Sequence, residues 1–200
     1  MLKIGILSNN NDYLLPYLIK EVSILKNIEF YVFIAVKKKN KIKDKKIFAE
    51  RTGNFFFKKK YKFNNIKKNK VKSHNSDEFL KIINKLKIDF LYNSETPNKI
   101  NSKIIKYKNG IINIHPAILP NYRGCTGLEW SLYNNEPIGI TAHLMNKKYD
   151  AGPIIKTLII KFKKKDIKKY SDLRIKAYLN SFFLAKKIFE NISNNKIKFI

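Results

Sequence analysis

At 200 residues, 44% of them apolar, the chain is long enough for one domain with a real core and short for two; it is read as a single domain over 1–200. Its 42 basic residues against 15 acidic ones give a formal charge of +27, but only Arg51, Arg123 and Arg174 are arginine, and the lysines come with an excess of Asn and Ile. Biased codon usage on a solvated surface explains that pattern better than a nucleic-acid platform, which would interleave arginine with aromatic rings. No apolar run approaches the roughly 18 residues of a membrane helix, Met1–Leu7 is too short and strand-like for a signal peptide, and the lone Cys125 excludes an internal disulfide, so a soluble cytoplasmic protein is expected.

Lys3–Ser8 reads as a buried first strand, and Asn9-Asn10-Asn11-Asp12 as a turn rich in helix-capping side chains. A helix over about Tyr13–Lys26 follows, with Pro16 tolerated in its first turn, and then a β-branched and aromatic strand, Glu29–Val36. Strand, helix, strand opens a parallel α/β sheet. Lys37–Lys46 is read as an exposed loop leading to a short helix near Phe48, Phe55-Phe56-Phe57 as a third strand, and Lys58–Ser73 as polar and aperiodic. Ser76 or Asn75 caps a helix carrying Phe79, Ile82, Ile83 and Leu86 at helical spacing. Asp89–Tyr92 is the fourth strand, and a helix starting at Pro97 carries Ile100, Ile104 and Ile105 inward. Ile111–His115 is the fifth strand and ends at Pro116; Ala117–Gly127 is a Gly- and Pro-bearing loop. Leu128–Asn134 makes a helical turn or two, Ile138–Met145 and Pro153–Phe162 are strands flanking a turn at Asp150, and Tyr170–Asn191 is the last helix.

The residues that carry chemistry are Asn113, His115 and Asp150. Asn113 and His115 are two apart on a strand, share a face, and sit at its carboxyl end, where open α/β sheets place their sites. An amide donates to a developing oxyanion, an imidazole holds or passes a proton near neutral pH, and a carboxylate orients the imidazole or takes the proton. Together they point to acyl transfer, although an isolated Asn-x-His would equally serve to hydrogen-bond a strand-to-loop corner. His143 is assigned to core packing or to supporting the site, His74 to the exposed surface, and Cys125 to a small loop position. The three histidines and one cysteine lack zinc spacing, and neither a dinucleotide nor a P-loop motif is present.

Three blocks widen the reading: Asn113–Gly124 (NIHPAILPNYRG), Gly139–His143 (GITAH) and Asp150–Ile155 (DAGPII). In order and spacing they resemble the formyltransferases that use 10-formyltetrahydrofolate, among them enzymes acting on glycinamide ribonucleotide, methionyl-tRNA and sugar amines. The resemblance is dense from about Ile111 to Ile155, within a catalytic core of about 89–160, and weaker before it. It implies a Rossmann-like, mostly parallel twisted sheet with helices on both faces, and transfer of the formyl group from the folate's N10 to an amine. It implies Asn113, His115 and Asp150 as catalytic residues. It places folate contacts in the loops around Ser94, Thr96 and Ile100 and around Tyr149. Acceptor contacts are read at Asn10, Arg123 and Gly124, the forked donors of Arg123 suiting a phosphate or carboxylate or, equally, a structural ion pair. The polar run Asn93–Asn98 departs from the more apolar loop common in the family. Asn9–Asp12 replaces the Gly-Ser-Asn phosphate loop expected of a purine-pathway enzyme, and the chain ends without a tRNA-binding-sized domain after its last helix. Both features, with Tyr122-Arg123-Gly124 and Trp130, favour a small anionic acceptor, a nucleotide-linked amino sugar. The alternatives are the purine or tRNA acceptor, a hydrolase passing the formyl group to water, and an inactive basic nucleic-acid-binding relative.

Overall fold

The computed structural model describes residues 1–36, 42–57, 66–162 and 168–195, with the side chains of 42–44 left out. The elements run β1 (Leu2–Asn9), α1 (Leu15–Val22), β2 (Ile28–Ala35), α2 (Ile42–Arg51), a 3₁₀ turn (Phe55–Phe57), β3 (Lys67–Val71) and α3 (Asp77–Lys85). They continue with β4 (Phe90–Asn93), α4 (Ser102–Ile105), β5 (Ile111–His115), α5 (Gly127–Tyr133), β6 (Gly139–Leu144), β7 (Ile154–Ile159) and α6 (Tyr170–Ser193). The seven strands form one sheet in the order β3-β2-β1-β4-β5-β6-β7. The first five are mutually parallel, and β6 and β7 are added antiparallel.

Period-two alternation divides the apolar side chains between two cores. Ile4 and Ile6 of β1, Phe30 and Val32 of β2, and Phe90 and Tyr92 of β4 face α1 and α6. Leu7, Phe33 and Leu91 face the opposite way with Phe79 and Ile83 of α3 and Ile104 of α4. Gly5 lies beneath that second layer, where an added Cβ would stand 2.9 Å from both Leu91 and Phe33. The two cores are the reason for a sheet covered by helices on both faces.

The chain reverses its direction of travel across the sheet between β1 and β4, and the loops leaving these strands are tied together. Ser94 N–H donates to the Leu7 carbonyl (3.0 Å), and Asn9 Nδ2 to the Glu95 carbonyl (2.9 Å). Asp12 is buried at this junction. Its Oδ1 accepts the amides of Leu14 and Leu15 at the start of α1 (3.0 and 2.9 Å), and its Oδ2 accepts the hydroxyls of Ser8 (2.8 Å) and Ser94 (2.6 Å). Burial pushes the Asp12 carboxyl above its ordinary value against those lowering hydrogen bonds. At the far end, buried Arg174 of α6 pairs with Glu129 of α5, Nε to Oε1 at 2.8 Å, fixing α5 and the loop before it against the last helix.

Several expectations are corrected. Phe55–Phe57 is a 3₁₀ turn rather than a strand: it seats Phe56 edge-on to Tyr17, Tyr178 and Phe182, which three consecutive phenylalanines on a strand could not do from one face. The third strand is Lys67–Val71, inside the stretch read as aperiodic. It is an edge strand held by backbone pairing to β2, with one buried side chain, so it carries almost no apolar signal. The first helix is shorter than Tyr13–Lys26, and α4 starts at Asn101, whose side chain caps the Ile104 amide (3.0 Å), rather than at Pro97. The second half of the Lys37–Lys46 run is helical; its beginning at 37–41, and the part of Lys58–Ser73 at 58–65, lie outside the described residues.

His74, expected on the surface, is buried with Nε2 2.9 Å from the Phe33 carbonyl and Nδ1 without a partner among the described residues. Burial pushes it below its usual 6.5. The unfolded chain then binds this proton more readily than the folded one, so stability present above the unfolded value is lost as the pH falls through it. Thermal melts from pH 7.5 to 5.5 should show a falling midpoint, and His74→Gln, which keeps an N–H for Phe33 but does not titrate, should flatten that dependence.

Candidate active site

β5 alternates Ile112 and Ile114 toward the α1/α6 face with Asn113 and His115 toward the other. Register supplies their neighbours. Parallel pairing sets Asn93 at the end of β4 beside Asn113, and antiparallel pairing sets His143 opposite Asn113 and Thr141 opposite His115. Thr141 is buried and anchors the following loop, accepting from the Leu119 amide (3.0 Å) and donating to the Ala117 carbonyl (2.8 Å).

A chain of hydrogen bonds fixes which way the Asn113 amide faces. His143 Nδ1 lies 2.9 Å from the Leu144 carbonyl, so that nitrogen carries the proton and Nε2 is an acceptor. Nε2 stands 3.1 Å from Asn113 Nδ2 and accepts from it, while Asn113 Oδ1 accepts from Asn93 Nδ2 at 2.9 Å. Reversing the amide would require a proton on His143 Nε2 and leave Nδ1 facing a carbonyl without one. Burial pushes His143 below its ordinary value, which keeps the acceptor form at neutral pH. Asn113 therefore has one N–H engaged and one left to offer a reacting oxygen.

His115 is buried, and its Nε2 donates to the Tyr122 carbonyl at 2.8 Å. That assigns a proton to Nε2 and leaves Nδ1 as the nitrogen on the side of Asp150. Nδ1 faces Asp150 Oδ2 at 3.5 Å; Asp150 Oδ1 is 3.7 Å from His143 Nε2. With His143 Nε2 an acceptor, its approach to Asp150 is not a hydrogen bond, and His115 Nδ1 is the nearer of the two nitrogens to the carboxylate. Asp150 also accepts the Gly124 amide (3.0 Å) and sits at φ 49°, a left-handed conformation that a short polar side chain tolerates. Its turn is braced by Asn146, which donates to the Ala151 carbonyl (2.9 Å) and accepts from the Lys148 amide (2.9 Å). Gly152 closes the turn against backbone: a Cβ there would lie 1.7 Å from the Leu144 carbonyl oxygen.

These groups border a cleft of about 300 Å³ lined by Asn93, Asn113, His143 and Asp150 at one side and by Ile100, Ile105 and Met145 at another. Thr96, Ile100 and Tyr149, expected at a folate site, all line it. Ser94 does not: its hydroxyl donates to Asp12, and it lines a separate cavity of about 310 Å³ on the α1/α6 face. Asn10 is exposed just past β1 and belongs to neither cavity. Gly124 serves the site through its amide on Asp150, and Arg123 lines a groove adjoining the cleft. Cys125 is exposed. No cluster of potential metal ligands occurs among the described residues, and no described helix is long and apolar enough to cross a membrane.

Asn93 is a site residue that sequence reasoning missed, and the part His143 plays in orienting Asn113 was only half visible. Both depend on strand register, which sequence spacing does not reveal. Asn93 Oδ1 is buried without a partner among the described residues, an acceptor at the wall of the cleft.

Comparison with known proteins gives one consistent family. The Formyl transferase family profile matches residues 23–177. The bifunctional polymyxin resistance protein ArnA of Wigglesworthia glossinidia brevipalpis is 35% identical over 128 residues, which is 63% of this chain but only 19% of that protein. Among solved structures, a phosphoribosylglycinamide formyltransferase from Anaplasma phagocytophilum superimposes with a TM-score of 0.71 at 20% identity, covering 100% of this chain and 90% of the other. A 4-N formyltransferase from Francisella tularensis gives 0.64 at 23% identity, covering 100% of this chain and 72% of the other. At these identities the structural likeness speaks to the fold.

Proposed function

Because the chain belongs to the formyl transferase family, we propose that it is an N-formyltransferase moving a formyl group from 10-formyltetrahydrofolate to a primary amine, that of a nucleotide-linked amino sugar. The observation that carries the reaction is the locked Asn113 amide lining one cleft with Asp150, behind which buried His115 faces the carboxylate.

The cleft suits the donor. A flat heteroaromatic ring needs apolar walls and polar groups at its edges; Ile100, Ile105 and Met145 supply the former, and Thr96, Asn98 and Asn146 the latter. When bound, the folate supplies a formyl group activated on N10. The free N–H of Asn113 stabilises the formyl oxygen as it becomes negative. The attacking amine loses a proton and N10 gains one. The His115–Asp150 pair is placed to handle that proton, because Nε2 of His115 is taken up by the Tyr122 carbonyl while Nδ1 faces the carboxylate.

The acceptor reading rests on the second cavity and on Asp12. The second cavity opens beside the ends of β4 and β5 and is lined by Leu14, Phe48, Tyr92, Tyr178 and Phe182 among others, with Glu95 and, among the described residues, no lysine or arginine. The first amides of α1, which would otherwise form an anion-binding helix terminus, are already satisfied by the Asp12 carboxylate. Both features disfavour a phosphate held at β1 and favour an acceptor whose amine-bearing part is uncharged apart from the amine. The names of the Francisella tularensis neighbour, a 4-N formyltransferase, and of a sugar N-formyltransferase neighbour from a Shewanella species agree with that class.

The test is to incubate the protein with 10-formyltetrahydrofolate and a panel of amino-sugar nucleotides, following tetrahydrofolate release. Release that depends on one of these amines is expected. Release without any amine would make the protein a hydrolase, and silence with every amine would remove the assignment of the acceptor.

A further inference from the structure

The groove beside the cleft has a composition that the catalytic reading does not use. It is lined by Ser102, Lys106, Arg123, Lys147 and Lys148, with Ile105, Asn146 and Ala151, and by no carboxylate among the described residues. A few lysines are matched with acids, Lys67 with Glu29, Lys103 with Asp77, Lys108 with Asp89 and Lys186 with Glu21, but with 42 basic residues against 15 acidic ones most cannot be, and what distinguishes this groove is that its cations converge. Lys106, Arg123, Lys147 and Lys148 form no salt bridge among the described residues, although they converge on one concavity. Four like charges brought together without counter-charge repel one another, and an anion between them removes that cost.

The position is as informative as the charge. The groove shares Ile105, Asn146 and Lys148 with the cleft, so the two form one continuous depression. Lys147 and Lys148 belong to the turn that Asn146 braces and Asp150 ends, and Arg123 precedes the glycine whose amide holds Asp150. The cationic wall is thus built on the segments that carry the proton-handling carboxylate.

We propose that this groove is an anion subsite holding clustered carboxylates or phosphates of a molecule seated in the catalytic cleft. The identity of that molecule rests on the formyl-transfer reading. The folate donor ends in glutamate carboxylates, longer in its oligoglutamate forms, and a nucleotide-linked acceptor carries a diphosphate. Both offer oxyanions to the fork of Arg123 and the point charges of the lysines.

Binding can be measured apart from turnover. Isothermal titration at low salt would take p-aminobenzoyl-triglutamate and, separately, inorganic pyrophosphate as probes. The proteins would be the wild type, the pair Lys106→Gln/Lys147→Gln, and a control pair on the other face of the sheet, Lys20→Gln/Lys46→Gln. At least one probe should bind, more weakly as salt rises, and the groove pair should weaken it about tenfold, about threefold for each exposed contact, with the control unchanged. Triglutamate binding assigns the subsite to the donor and pyrophosphate binding to the acceptor; either outcome upholds it. Binding of neither probe, or equal weakening in both pairs, would overturn it, the second by showing only the diffuse effect of the +27 charge. Tetrahydrofolate release in the same preparations separates the two readings. Probe binding without release retains the subsite and removes formyl transfer; release without probe binding removes the subsite alone.

Discussion

Replacing Asn113 with Ala is expected to lower kcat/KM for formyl transfer by about 100- to 1,000-fold, the range seen when a single oxyanion donor is removed. The loss should fall mainly on kcat, because the N–H left free by Asn93 and His143 acts on charge that exists only in the transition state. Asn113→Asp sharpens the test. It has nearly the same shape and can still accept from Asn93, but it offers no donor and adds a negative charge where the oxyanion would form. Its activity should be no better than that of the Ala variant. If either variant retained more than about a tenth of wild-type kcat while folding normally, the oxyanion role would be lost. His143→Ala should show a smaller loss of the same kind, because the amide remains and Asn93 still holds its oxygen, while the contact on its Nδ2 is gone. Steady-state kinetics at saturating donor, with thermal melts to check folding, decide all three.

The contrast between Asn113 and its neighbours shows what was legible in the sequence. β1, β2, β4, β5 and β6 were readable because buried parallel strands and their antiparallel partner are short, predominantly apolar and largely buried segments. α3 was readable from Ser76 and four apolar residues at helical spacing. β3 was not, because an edge strand of Lys-Lys-Asn-Lys-Val is held by backbone bonds that any sequence can make. Asn113 and His115 share a face by parity alone, whereas Asn93 and His143 reach the site only through register with residues 20 and 30 positions away. The same limit applies to Ser94 and Asp12. Each is a plausible ligand contact by position, and each is turned inward by the other.

Asp150→Asn should lower kcat by about 100- to 10,000-fold, the range for a positioned acid–base group, with little change in the melting temperature. The backbone argues for Asn over Ala as the test. Position 150 sits at φ 49°, which Asn occupies as readily as Asp, while Ala would add strain that confuses folding with chemistry. Asn also keeps an oxygen for the Gly124 amide, so the turn between Asn146 and Gly152 should persist. What disappears is the negative charge 3.5 Å from His115 Nδ1. A carboxylate that merely shaped the turn would be replaced without loss. One that takes the proton, or holds it on His115, would take with it most of the rate. The size of the loss in kcat at unchanged melting temperature is therefore the discriminating readout: a rate within about tenfold of wild type would reduce Asp150 to a structural residue, and a loss of about 100-fold or more in a normally folded protein would assign the amine's proton to the His115–Asp150 pair.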